Sequence, residues 1–120
     1  MSQENCIFCK IAAGEIPSKK VYEDDEFVAF HDINPAAPVH VLVIPRKHIA
    51  TLSDCTESDA PLLGRMLTLV ARLAKELGVS YTGGETGFRT VINTGPGGGQ
   101  EVYHIHAHIL AGERPWRRMG

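Results

Sequence analysis

Tyr103-His-Ile-His-Ala-His-Ile-Leu110 carries His104, His106 and His108 at alternate positions, with Ile105, Ala107 and Ile109 interleaved. Successive side chains of a β-strand point to opposite faces, so a strand here gathers the three imidazoles on one face. The three apolar side chains then share the other face and pack into a core. A helix would spread the same histidines around its cylinder. Half of the chain's six histidines lie in this stretch, and three uses for them compete. They can be filler on an exposed face, although histidine has no advantage over Thr or Lys there. They can be metal ligands, but His104 and His108 would stand roughly 13 Å apart on a strand rising ~3.3 Å per residue, too far for one ion to take all three. They can hold different posts: a nucleophile, a group that orients or protonates, and a structural anchor. Neutral imidazole is a good nucleophile near neutral pH, and its charged form donates hydrogen bonds to anions.

What stands upstream favours the third use. Asn93-Thr-Gly-Pro-Gly-Gly-Gly-Gln100 holds four glycines in eight residues, a loop composition. Glycine lets a backbone come close to a ligand and turn its N–H groups towards phosphate oxygens. A Gly-rich hairpin loop with no ligand is the plain alternative. Placed directly before the histidines, with Asn93 at its entrance, the loop reads as an anion cradle facing a nucleophile.

His104-Ile-His106-Ala-His108-Ile-Leu, preceded by Gly98-Gly-Gln-Glu101-Val-Tyr103, resembles the signature of the histidine triad (HIT) superfamily of nucleotide hydrolases and transferases. The resemblance extends to Ile7-Phe8-Cys9-Lys10-Ile11, Glu15-Ile16-Pro17, Tyr22-Glu-Asp-Asp25, Ala29-Phe30-His31-Asp32-Ile33-Asn34-Pro35 and His40-Val-Leu-Val-Ile-Pro45 running to His48. It covers nearly the whole chain and is strongest towards the Hint branch, the purine nucleoside phosphoramidases. It implies an α+β fold with a five-stranded antiparallel sheet, one long and one short helix, and a sheet extended across a two-fold homodimer.

Composition sets the frame. A chain of 120 residues allows one domain, here residues 1–120, with one core. Hydrophobic content of 43% and mean hydropathy of -0.08 are ordinary for a globular protein. A net charge of -2 gives no basic field for nucleic acid or an anionic membrane surface. The apolar runs are too short to span a bilayer, and Met1-Ser-Gln-Glu-Asn5 is polar and does not read as a signal peptide. Three cysteines form no complete disulfide set, consistent with a reducing, cytoplasmic setting.

Cys6-Ile-Phe-Cys9 spaces two thiols for one zinc, for a redox pair, or for two buried side chains. A zinc needs two more ligands, and His48 and His104 are the nearest candidates. The resemblance implies a structural zinc on Cys6, Cys9, His48 and His104, and no catalytic cofactor. Ile7 to Gly14 reads as a short helix closed by glycine. Val21–Glu23 and Phe27–His31 read as strands around an acidic turn, which is given no function. Asp32 can accept both hydroxyls of a ribose or simply cap its loop. His40 opens a strand to Pro45 and is either a satisfied histidine or a catalytic one. Leu62, Leu63, Met66, Leu67, Leu69, Val70, Leu73, Ala74 and Leu77 recur at three- and four-residue steps, which predicts a helix over 58–77. Thr56 or Ser58 is expected to cap its start, and Gly78 to follow its end. The apolar stripe is wider than one sheet face needs. Phe88–Asn93 reads as a strand forming a hairpin with the histidine strand.

The resemblance assigns roles. His106 is the nucleophile, with His108 and His40 in the catalytic cluster. Asp32 takes the ribose; Ile7, Phe8, Ile16, Phe30 and Ile33 line a purine slot; Asn93, Gly99 and Glu101 face the phosphate. The substrate is then a purine nucleotide or nucleoside phosphoramidate. The C-terminal tail, residues 112–120, with Trp116, is expected to reach the partner's site; an exposed surface tail is the alternative. Glu101 departs from the serine usual in eukaryotic members and puts the leaving-group preference in question. Rival readings are a dinucleoside polyphosphate hydrolase, a purine-nucleotide-binding regulator whose catalysis is incidental, and a zinc-stabilised interaction module that binds no nucleotide.

Overall fold

A computed structural model describes residues 5–112. The elements run α1 (Ile7–Ala12), β1 (Lys20–Glu23), β2 (Phe27–His31), β3 (Val39–Pro45), α2 (Ala60–Glu76), β4 (Phe88–Val91) and β5 (Ala107–Ala111). Short 3-10 turns stand at Leu52–Asp54, Glu57–Asp59 and Pro96–Gly98. All neighbouring strands pair antiparallel, in the order β1-β2-β3-β5-β4. No helix among the described residues is long and apolar enough to cross a membrane. Trp116 and the rest of the tail beyond Gly112 lie outside the described residues.

The central strand β3 is buried on both faces, and its alternation sorts the two cores. Val41 and Val43 join Phe27, Ala29, Ala107 and Ile109 under Met66, Leu69, Val70 and Leu73 of α2. Leu42 and Ile44 join Val28 and Phe30 under Phe8 and Ile11 of α1. The histidine face of β5 is therefore the α1 face, and it carries the site. Ile105, Ala107 and Ile109 are all essentially inaccessible, as the two-residue period requires.

Three boundaries differ from the reading of the sequence. The histidine strand starts at Ala107, so His104 and His106 precede it in irregular chain. The pairing Val43↔Ala107 would next bring Pro45 opposite Ile105, and proline has no N–H to give a ladder. Ile105 N–H donates instead to Ile49 O at 2.7 Å. β4 stops at Val91, opposite His108, because its partner has barely begun there; Asn93 is left free of the sheet. α2 starts at Ala60, with Pro61 in its first turn, where a missing N–H costs little. Neither Thr56 nor Ser58 caps it: Thr56 N–H donates to the Asp59 carboxylate within the preceding 3-10 turn. Gly78 does close the helix, at φ +75°, with Val79 N–H donating to Ala74 O.

Candidate active site

A cleft of about 260 Å³ opens on the α1 face. It is lined by His40, His106 and His108, by Phe8 and Leu42, and by Asn93, Gly99 and Glu101 of the connection between β4 and β5. Asp32 also lines it. The hydrogen bonds fix how each ring is protonated. His106 Nδ1 lies 2.8 Å from His104 O. A carbonyl only accepts, so Nδ1 carries the proton and Nε2 keeps a free lone pair. The Phe8 ring meets His106 edge-on, with centroids 5.0 Å apart, and holds that ring in place.

His40 and His108 form a chain. Ala36 N–H donates to His40 Nδ1 at 2.9 Å, which puts the His40 proton on Nε2. That proton goes to His108 Nδ1 at 2.8 Å, with Asp32 Oδ2 a more distant acceptor at 3.5 Å. His108 then carries its own proton on Nε2. This atom is buried and has no hydrogen-bond partner among the described residues, so its donor is left unsatisfied. Burial pulls His40 and His106 below the usual histidine range, and pulls His108 down to about 4 with help from the neighbouring imidazoles. The three rings are neutral at pH 7. Asp32, His40 and His108 also converge closely enough to suggest a cation site. The proton on His40 Nε2 argues against it, since the nitrogen facing the cluster has no lone pair to offer.

The glycine loop differs from an open anion cradle. Gly98, Gly99 and Gln100 donate their N–H groups to Gly95 O and Pro96 O. Gly99, at φ +79°, is needed for the turn, and it forms wall without side chain. Gln100, buried, ties the loop down through Gly95 N–H, Ala50 O and Val102 O. The donors left for an anion include Asn93, His108 and the backbone N–H of Glu101, which has no partner among the described residues.

Behind the triad lies a second cluster. Cys6 and Cys9 at the start of α1, His48 after β3, and His104 bring four ligand atoms within 4.8 Å of one another. His104 Nδ1 is 3.2 Å from Cys6 Sγ, 3.4 Å from Cys9 Sγ and 3.3 Å from His48 Nδ1. Tetrahedral ligands at zinc bond lengths of about 2.0–2.3 Å sit roughly 3.3–3.8 Å apart, so the set is spaced for such an ion. His104 Nε2–H donates to Pro45 O at 2.7 Å, which leaves Nδ1 unprotonated and aimed at the cluster. Burial, then Cys6, pushes the Cys9 thiol up to about 11; a bare thiolate is costly there, and a cation would relieve that cost.

The sequence profile of the HIT domain family matches residues 13–115. The chain belongs to the HIT domain family. Relatives of this HIT domain include Protein HitA of Neisseria gonorrhoeae, 54% identical over 107 residues, covering 89% of this chain and 95% of that protein. The purine nucleoside phosphoramidase of Escherichia coli (strain K12) is 48% identical over 109 residues, covering 91% and 88%. Among solved structures, a histidine triad protein from Clostridium difficile superposes with TM-score 0.89 at 47% identity, covering 99% of this chain and 100% of that one. A HIT family hydrolase from Legionella pneumophila Philadelphia 1 does so with TM-score 0.85 at 53% identity, covering 92% and 94%.

This HIT domain brings most of the expected residues together, and separates some. Ile7 is half-exposed on α1. Ile16 and Phe30 belong to the α1-side core, Phe30 edge-on beneath Phe8. Neither those two nor Ile7 lines the cleft. Ile33 is 90% exposed and faces a separate, more open depression whose shared wall with the cleft is Asp32 and His40. Asn34, Leu42 and Val102 line the cleft without having been singled out. Leu42 was findable, two residues after His40 on the same strand face. Asn34 and Val102 sit in loops, where no period points to them.

Proposed function

We propose that the protein is a hydrolase of purine nucleoside 5′-phosphoramidates, working through a nucleotidyl-histidine on His106. One observation carries this reading: His106 faces the cleft with Nδ1–H held by a carbonyl and Nε2 free to attack. The α-phosphate sits between Asn93 and the unpartnered His108 Nε2–H, the ribose on Asp32, and the base beyond it towards Ile33. His106 Nε2 attacks phosphorus, the P–N bond breaks and the amine leaves as its nitrogen takes up a proton; water then cleaves the phosphorus–histidine bond, giving its oxygen to phosphorus and releasing a proton in return. A covalent nucleophile divides one difficult displacement into two easier ones. The phosphoramidase name of a 48% identical relative supports the same chemistry.

Two assembly features belong to this reading. The Cys6, Cys9, His48 and His104 cluster holds a structural zinc, which would supply only a fixed tetrahedral anchor for His104. The chain also forms a two-fold homodimer through β4, an edge strand, and α2, whose Leu67 is 51% exposed.

The test is AMP release from adenosine 5′-phosphoramidate by the wild type and by His106→Asn. Release that vanishes in the variant supports both activity and nucleophile. Release that persists moves the nucleophile elsewhere, and none from either protein ends the phosphoramidase reading.

A further inference from the structure

The cleft has an unusual charge balance for a site meant to hold a phosphate. Its lining contains two carboxylates, Asp32 and Glu101, and no lysine or arginine among the described residues. The three histidines that could offset them are neutral rings: His40 donates to His108, His106 donates to His104 O, and His108 keeps its proton on an unpartnered Nε2. The N–H groups of Gly98, Gly99 and Gln100 already serve loop carbonyls, so of these loop positions it is the backbone N–H of Glu101 that stays open to the cleft. Sites that grip polyphosphates use backbone N–H nests, lysine, arginine or a divalent cation at each phosphate. Here the donors suffice for one phosphate.

The two carboxylates are not equivalent. Asp32 accepts the Asn34 N–H at 2.8 Å and lies 3.5 Å from His40 Nε2, so its position is set. Glu101 is exposed, and no hydrogen bond or ion pair occupies its carboxylate among the described residues. It belongs with Asn93 and Gly99 to the connection between β4 and β5, whereas Asp32 follows β2, with β3 and β5 between the two. A nucleoside monophosphoryl group lying between them has its ribose at Asp32, which leaves the leaving group on the Glu101 side.

Resting on the phosphoramidase reading, we infer that Glu101 is a specificity-determining residue that selects the charge of the leaving group: the preferred substrates are nucleoside phosphoramidates whose departing amine bears a further cationic group, and anionic leaving groups, polyphosphates among them, are turned away. The selection works by attraction to one charge and by repulsion of the other. Because Glu101 is exposed, the effect is screened by salt.

Three adenosine 5′-phosphoramidates differing only at the far end of an alkylamine leaving group, with an ammonium, a methyl or a carboxylate, test this. kcat/KM is measured for the full-length wild type and Glu101→Gln at low and high salt. The expected wild-type order is ammonium, methyl, carboxylate. Glu101→Gln is expected to compress the ammonium-to-carboxylate ratio by about tenfold, the scale of one exposed charge at close range, and high salt to compress it in the wild type. An unchanged ratio in the variant, or an equal loss on all three substrates, overturns the charge selection while leaving the phosphoramidase reading intact. Failure of the wild type to turn over any of the three overturns both.

Discussion

His106 is held by the residue two positions before it: its Nδ1–H donates to the backbone carbonyl of His104 at 2.8 Å. The same His104 anchors its own ring to Pro45 O and points its other nitrogen at Cys6 and Cys9. One residue thus joins the end of β3, the thiol cluster and the candidate nucleophile. Replacing His106 by Asn or Ala is expected to lower kcat for a phosphoramidate by roughly 10⁴-fold or more, the range seen when a covalent nucleophile is removed. Single-turnover assays with enzyme in excess check it. A loss below about tenfold would mean that another group attacks phosphorus.

His40 acts through His108. With Ala36 N–H on one nitrogen, His40 can only donate from the other, and this determines which nitrogen of His108 carries the proton. His40→Ala frees His108 to take the other tautomer. The expected cost is about 10–100-fold in kcat, with KM changed less, as for other partners that orient a functional ring. Nitrogen NMR shifts of His108 give the independent readout: protonated Nε2 in the wild type and a tautomer mixture in the variant. An unchanged His108 spectrum would remove His40 from this role.

The side of the sheet that carries the chemistry was legible from the six residues His104 to Ile109. Ile105, Ala107 and Ile109 are buried and the histidines lie opposite, because the two-residue period survives even where the ladder does not. The strand's start was not legible, since it depends on Pro45, sixty residues upstream of Ile105 and brought opposite only by folding. The glycine loop misled for a related reason. Composition shows that its backbone can turn, but the direction of each N–H depends on Gly95 and Pro96 carbonyls meeting them in space. The cysteine spacing with His48 and His104 was matched by a true cluster, while Ile7, Ile16 and Phe30 were apolar for the sake of the helix surface and the core.

Zinc analysis of the purified protein is expected to find one ion per chain. Cys9→Ser removes a ligand and is expected to lower unfolding free energy by on the order of 2–4 kcal/mol, because the other three donors remain clustered without their ion. Elemental analysis and denaturant unfolding of both proteins check this. Full stability with no bound metal in the wild type would reassign the cluster to a hydrogen-bonded thiol–imidazole core.

Leu67 marks the part of the α2 stripe that the sheet leaves uncovered, at 51% exposure, while Met66, one position before it, is fully buried. Leu67→Glu introduces a charge into the proposed contact and is expected to shift the protein from dimer to monomer at micromolar concentration, since one desolvated charge costs several kcal/mol in an apolar interface. Sedimentation velocity reads the change. A wild type that sediments as a monomer at every concentration removes the dimer.

Acid stability follows from the neutral histidines. His108 has a folded pKa of about 4 against an ordinary 6.5, chiefly through burial, and His40 is shifted in the same direction. Between those values the unfolded chain binds protons that the folded chain refuses, so unfolding free energy rises with pH through this window. The stabilisation is complete above 6.5 and is lost as pH falls towards 4. Each histidine contributes a slope of at most about 1.4 kcal/mol per pH unit, reduced by partial solvent access. Denaturant unfolding at several pH values between 4.5 and 7.5 measures the slope, and ring NMR titration assigns it to His108. A His108 midpoint near 6.5 would show a hydrated, charge-accepting ring, and the donor facing the phosphate would then be an imidazolium under mildly acidic conditions.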